Sequence, residues 1–227
     1  MNDTDEPTEP PIRRRRSPLT PEAVIAGAVE LADEIGVDPL TIRKLATHLG
    51  VKPMAIYHHV ANKDEILDGM VDAVFAEIEL PPDGIDWRTG MRIRAHSARA
   101  VFARHPWAVA LMDSRTNPGP ATLAHHDAVL RCLRSGLSLE MAAHAFAVID
   151  AFLFGFAIQE AALPPEEAMP EIAAALVESF PREAFPHLAE LTIDHALRDG
   201  YRFGDEFDFG LELVLNGLEA AARRSSG

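Results

Sequence analysis

Lysine is scarce in this chain, and its few occurrences are not scattered. The sequence has 227 residues and three lysines, Lys44, Lys52 and Lys63, all within one short stretch. Cysteine occurs once, at Cys132, so an internal disulfide is excluded, and the chain fits a reducing compartment. Flanked by Arg131 and Arg134, that thiol is either activated by the arginines or, as is usual for a leucine-flanked helical cysteine, inert packing. No strand-like alternation of useful length is present, which leaves an all-α fold. The sequence also lacks Gly-x-Ser-x-Gly, a phosphate-binding glycine loop, Cys-x-x-Cys and His-x-x-x-His, so neither catalysis nor structural zinc has a motif. The histidine pairs His58-His59 and His125-His126 do not help, because neighbours on a helix point about 100° apart. No metal and no cofactor is expected. The most apolar run, residues 142–158, contains His144 and Asp150 and is shorter than the roughly 20 apolar residues of a membrane span. The start of the chain is acidic and proline-bearing, unlike a secretory signal, so a cytoplasmic location is expected.

What is present is a sharp charge asymmetry. The net charge is −14, yet residues 41–63 hold Arg43, Lys44, Lys52, Lys63 and three histidines with no Asp or Glu. Residues 1–63 carry 8 basic and 9 acidic side chains, whereas residues 64–227 carry 13 and 26. An acid-free island in an acidic protein is what a phosphate-facing surface requires, and the acidic remainder would repel nucleic acid.

The pattern within the island supplies geometry. Ile42, Leu45, Ala46 and Leu49 recur at helical spacing behind Thr41, a potential N-cap. Gly50 has the place of a helix C′ residue, Val51 plugs the turn, and Pro53 can open a second helix covering Met54 to Val60. Two short helices with a tight glycine turn between them make a helix-turn-helix. A helix from Thr20-Pro21-Glu22 to Gly36 precedes it, burying Val24, Ala28, Leu31, Ala32 and Ile35. Another runs from Asn62-Lys63 to about Leu80, burying Ile66, Leu67, Met70, Val74 and Ile78.

These residues resemble the DNA-binding domain of the tetracycline-repressor (TetR) family. The resemblance covers residues 20–79 and rests on the Ala/Leu-rich first helix closing at Gly36, Thr41-x-Arg43-x-Leu45-Ala46, Leu49-Gly50-Val51, Tyr57-x-His59 and Asn62-Lys63-x-x-Ile66-Leu67. It implies base-edge roles for Arg43, Lys52, Pro53, Met54 and Ala55, and phosphate roles for Thr41, Tyr57, His59 and Lys63. His58 shares that surface. The chain departs from the tetracycline repressor at Lys52, Pro53, Met54 and His58, so an operator sequence does not transfer. Beyond residue 80 the likeness is only general and lies in an all-helical regulatory and dimerisation region with a His105-Pro106-Trp107 break. The implied activity is a ligand-responsive regulator, most simply a repressor, that binds palindromic operator DNA as a homodimer and answers to a small-molecule effector. An activator, a ligand-independent regulator, and a helical binding protein or enzyme with an incidental basic segment are the competing readings.

Three units are expected: residues 1–17 as an acidic, proline-bearing tail ending in Arg13, Arg14, Arg15 and Arg16; residues 18–80 as the DNA-binding domain; and residues 81–227 as the ligand-binding and dimerisation domain. The arginine run is either a solvated tail or an arm reaching phosphates or a minor groove.

The helical segment 138–163 is apolar on all sides and must be covered on all sides. Together with the last helix, expected over residues 205–223, it would pair with a second copy as a four-helix bundle through Val148, Phe152, Phe156, Phe207, Leu211, Val214 and Leu218. A monomer with a large core is the alternative. A ligand cavity is expected among Met91, His96, Arg99, Phe102, Met112, His144, Phe152, Phe156 and Gln159, which combine apolar bodies with a few polar groups. The stretch 164–186 holds five prolines and is expected to be a connection with one short helical phrase, Ile172 to Phe180.

Overall fold

In the structure, a computed structural model, residues 18–165, 168–198 and 200–225 are described. Among them there are helices and turns and no strand. The arginine run and the tail before it lie outside the described residues.

Helix α1 (Pro21–Ile35) opens on Thr20, whose hydroxyl accepts the Ala23 N–H at 3.1 Å, and closes at Gly36. Helix α2 (Ile42–Leu49) opens in the same way on Thr41, which accepts the Lys44 N–H at 3.2 Å. Gly50 ends it in the left-handed conformation (φ 66°), where a side chain would be strained, and the Val51 N–H returns to the Ala46 carbonyl. Helix α3 (Pro53–Ile56) is shorter than the Met54 to Val60 expected. The Ile56 carbonyl takes the N–H of both His59 and Val60, so the chain turns after one helical turn and buries Val60. Helix α4 (Lys63–Glu77) starts at Asn62, which accepts the Glu65 N–H at 2.9 Å. It ends sooner than Leu80: Ile78 is extended, and the Glu79 N–H bonds Ser97 instead of continuing the helix. Pro81 disfavours helical backbone at Leu80 as well.

Helices α5 (Trp87–Arg104), α6 (Ala108–Asp113), α7 (Pro120–Arg134) and α8 (Leu139–Ala161) follow. Next come α9 (Met169–Ser179), α10 (Pro186–Ala189) continuing as a wide π-type coil over Glu190–Ala196, and α11 (Glu206–Ser225). The helical phrase expected at Ile172 to Phe180 is α9, which begins three residues earlier, at Met169, and ends at Ser179. Prolines Pro170 and Pro186 fall in the first turns of α9 and α10, where a missing N–H breaks no helical bond.

Helix α8 lies centrally, against α5, α6, α7 and α11. By length and composition it is apolar enough to cross a membrane, but here it is the core helix, and its Asp150 is tied to Arg94 of α5. One apolar core runs from Val24 through Met70 and Ile149 to Leu218. Helix α4 is the bridge, packed on α1 at one side and on α6 and α7 at the other. Ile35, expected inside, is partly exposed at the end of α1, and Leu67 is half-buried.

Candidate nucleic-acid interface and effector cavity

The turn between α2 and α3 directs the start of α3 away from the protein. Leu45, Ala46 and Ile56 are buried in the common core, with α2 packed on α1 and on α3. Thr41, Arg43, Lys52, Pro53, His58 and Lys63 are exposed, Met54 is 67% and Tyr57 47% exposed, and Ala55 and His59 are half-buried. One exposed Met is ordinary by itself, but beside Arg43 and Lys52 it gives a basic surface an apolar contact as well. The Lys52 side chain is exposed at the start of α3, where its ammonium can donate to an acceptor from outside. Tyr57 and His59 lie in the turn after α3 rather than on a continuous helix. Acidic residues border this face without entering it. Glu30 meets His48 at 3.2 Å, and the Glu22 carboxyl is held below its usual range by its own backbone N–H, then by Thr20, and to a smaller degree by His59.

A second feature lies behind α4. A cavity of about 860 Å³ is walled by Val71 and Phe75 of α4, Val109, Ala110 and Met112 of α6, Thr122 and His126 of α7, and Phe146, Asp150, Phe154 and Ile158 of α8. The segment of Arg115, Thr116, Asn117 and Pro118 forms its mouth. Of the nine residues expected to line a cavity, Met112 alone lies on this one. Met91 and Phe102 are core residues, and His96 faces Asp208 of α11 at 3.1 Å. Arg99 is paired to Glu160 and lies over the Phe156 and Phe207 rings; it lines a second pocket, between the end of α8 and the start of α11. Phe152 stacks on the same aromatic group, while His144 and Gln159 are exposed on α8. The cavity thus lies on a different side of α8 from the one expected.

The mouth is tied to α4 by charge. Arg115 donates to Asp68 at 2.5 Å and to Asp64 at 3.0 Å, and Asn117 reaches Asp68 at 3.5 Å. Asp72 accepts the N–H of Thr122 at 2.7 Å and that of Ala121 at 3.3 Å, so a side chain from α4 caps α7. Gly119 permits this approach, since a Cβ there would overlap the Asp72 carboxylate.

Behind the wall residue Asp150, Arg94 is 1% exposed and donates to Asp150 at 2.6 Å and to His125 Nε2 at 3.2 Å. That bond makes Nε2 an acceptor, so the His125 proton sits on Nδ1, which has no partner among the described residues. Burial, reinforced by Arg94 and then His126, pushes the His125 pKa down to about 3. Burial also lowers that of His126. Cys132 is buried against the Trp87 carbonyl with its pKa raised by burial, which is the inert alternative for this thiol.

The expected pairing seam divides in two. Phe156, Phe207, Leu211 and Leu218 are closed over within the chain and have little area left to bury against a partner. Phe152 and Val214 are half-buried, Val148 is 45% exposed, and Phe209 and Leu213 of α11 are 65% and 58% exposed.

Known proteins share this arrangement. Residues 24–70 match the family model for bacterial regulatory proteins of the tetR family, and residues 80–222 match the tetracyclin repressor-like C-terminal domain. The chain belongs to the TetR family. Similar proteins include the HTH-type transcriptional repressor DrrR1 of Streptomyces coeruleorubidus, 30% identical over 96% of this chain and 83% of the relative. The class A tetracycline repressor from transposon 1721 in Escherichia coli is 32% identical over 88% and 90%. Among solved structures, the TetR family protein ActR of Streptomyces coelicolor in complex with actinorhodin superposes with a TM-score of 0.75 at 28% identity, covering 91% of this chain and 98% of its own.

Proposed function

We propose that this TetR-family chain is a repressor, not an enzyme, that binds a palindromic operator as a cytoplasmic homodimer and is released by a small-molecule effector. Residues 18–80 act as the DNA-reading unit, and residues 81–227 as the unit that binds effector and partner. The observation that carries the reading is the acid-free first turn of α3, where Lys52, Pro53 and Met54 are exposed among the described residues.

In this reading Arg43, Lys52, Pro53, Met54 and Ala55 meet base edges in the major groove. Thr41, Tyr57, His58, His59 and Lys63 hold the backbone, and the arginine run at residues 13–16 adds phosphate contacts. Pairing uses the outward sides of α8 and α11, through Val148, Phe209 and Leu213 with the edges of Phe152 and Val214. Exposure of large apolar side chains on two adjacent helices supports this.

The effector site is the cavity behind α4. That ActR has been solved with actinorhodin supports a small-molecule site in a chain of this fold. Helix α4 carries part of the cavity wall and begins at Lys63, immediately after the recognition segment. A ligand that repositions the mouth through Arg115 and Asp68 therefore moves α4 and changes the separation of the two reading heads. Successive major-groove faces lie about 34–36 Å apart, and a pair of heads off that spacing loses one half-site. The effector acts only as far as it prefers the released state, and a near-complete switch needs about a 10⁴-fold preference.

Fluorescence anisotropy with DNA flanking the chain's own gene tests the proposal. Tight binding that weakens steeply with salt and exceeds binding to unrelated DNA is expected; equal affinity for both DNAs overturns it.

A further inference from the structure

The cavity behind α4 is lined by a polar atom that has no bonding partner among the described residues. Asp150 gives Oδ1 to the Arg94 guanidinium, and among the described residues no group donates to its Oδ2. Arg94 holds the carboxylate in place and offsets its charge, so the site asks for a hydrogen-bond donor rather than a full cation.

The cations near the cavity are already engaged. Arg94 is committed to Asp150 and His125, and Arg115 to Asp64 and Asp68. The N-terminus of α7 is occupied by the Asp72 carboxylate, and His126 in the wall is neutral at pH 7. An incoming anion would find no free positive partner among the described residues, and the carboxylates of Asp68, Asp72 and Asp150 held nearby. The remaining wall is aromatic: the His126 ring stands edge-on between Phe75 and Phe146, at 5.3 and 5.4 Å, with Phe154 beyond. Such a wall accepts planar rings in offset or edge contact.

We infer that the cavity selects an uncharged, ring-bearing molecule that donates a hydroxyl or N–H hydrogen bond to Asp150 Oδ2, and that it rejects carboxylate-bearing analogues. Arg94 is the positioning residue for that acceptor. This rests on the reading of the cavity as the effector site.

Four fluorescent probes with one ring body test it on the full chain at pH 7: 1-hydroxypyrene, 1-methoxypyrene, 1-pyrenecarboxylate and 1-pyrenemethylammonium. The hydroxyl probe should bind at least tenfold more tightly than each of the other three. In Asp150→Asn the amide oxygen stays with Arg94 and the NH₂ group turns to the cavity. The preference should then reverse in favour of the methoxy and carboxylate probes. Ala110→Trp, which fills the cavity from the partly solvated α6, should abolish binding of all four. If Asp150→Asn does not fold, the ranking in the unsubstituted chain still decides. A carboxylate or ammonium probe that binds as well as the hydroxyl one, or no saturable binding by any probe, overturns the inference. Binding that survives Ala110→Trp instead overturns the placement of the effector site itself.

Discussion

Asp72, midway along α4, accepts both the backbone N–H of Thr122 at 2.7 Å and its hydroxyl at 2.9 Å. The helix that follows the recognition segment thus supplies the cap of a helix that lines the cavity. Losing an N-cap acceptor costs about 1 kcal/mol, up to about 2. Asp72→Ala should lower the unfolding free energy by that amount in denaturant titrations. Asp72→Asn should cost less, because its amide oxygen still accepts. Equal losses would show that charge, not capping, is what Asp72 contributes.

The DNA face makes a different kind of prediction. Lys63→Ala and Tyr57→Phe should weaken binding to every DNA sequence alike, since both are assigned to phosphates. Arg43→Ala and Lys52→Ala should cost about 1–3 kcal/mol on the preferred site and relax the base preference there. Competition binding with single-base operator variants separates the two patterns. If all four substitutions leave affinity unchanged, the assigned surface is wrong.

Burial divides α11 into two kinds of apolar residue. Phe209 and Leu213 are outward, whereas Leu211 is 1% exposed inside the chain. Phe209→Asp combined with Leu213→Asp should give a folded monomer by sedimentation and circular dichroism, with operator affinity lost. Leu211→Asp should unfold the chain, because an unpaired charge in that core costs several kcal/mol. A double variant that stays dimeric would move the pairing face elsewhere.

His125 gives the protein an acid sensitivity. Its pKa of about 3 in the fold lies below the ordinary 6.5, so the unfolded chain binds the proton more readily. Its neutral form contributes fully above pH 6.5, and stability is lost as pH falls from there towards 3. Between pH 7 and 4.5 the loss is on the order of 2–3 kcal/mol. His125→Gln, which keeps an acceptor for Arg94, should flatten the unfolding free energy over that interval by a similar amount. An identical pH dependence in both proteins would contradict the assignment.

The reading end of the molecule is largely legible in the sequence because its signals are local. Thr20, Thr41 and Asn62 cap the helices that they precede, and Gly50 takes the left-handed turn that its position implies. The short α3 is not legible, since the turn after Ile56 is set by Val60 packing into the core. On α8 the apolar residues encircle the helix, so periodicity does not say which side meets α11 and which meets α7. For that one reason the cavity lies away from most of the residues expected to line it, and four of the seven residues of the expected pairing seam are core. The Arg94–Asp150 pair joins residues on different helices, and only a carboxylate inside the most apolar segment hints at it. Nothing in the neighbouring residues marks Asp72 as the cap of α7.

Selection of bound sequences from random duplex DNA by the purified full chain tests the central claim most directly. A helix-turn-helix homodimer should enrich one palindrome, with half-site centres about one helical turn, 10–10.5 base pairs, or a multiple of it apart. Enrichment of a single unpaired half-site, or no enrichment over the starting pool, would contradict the account.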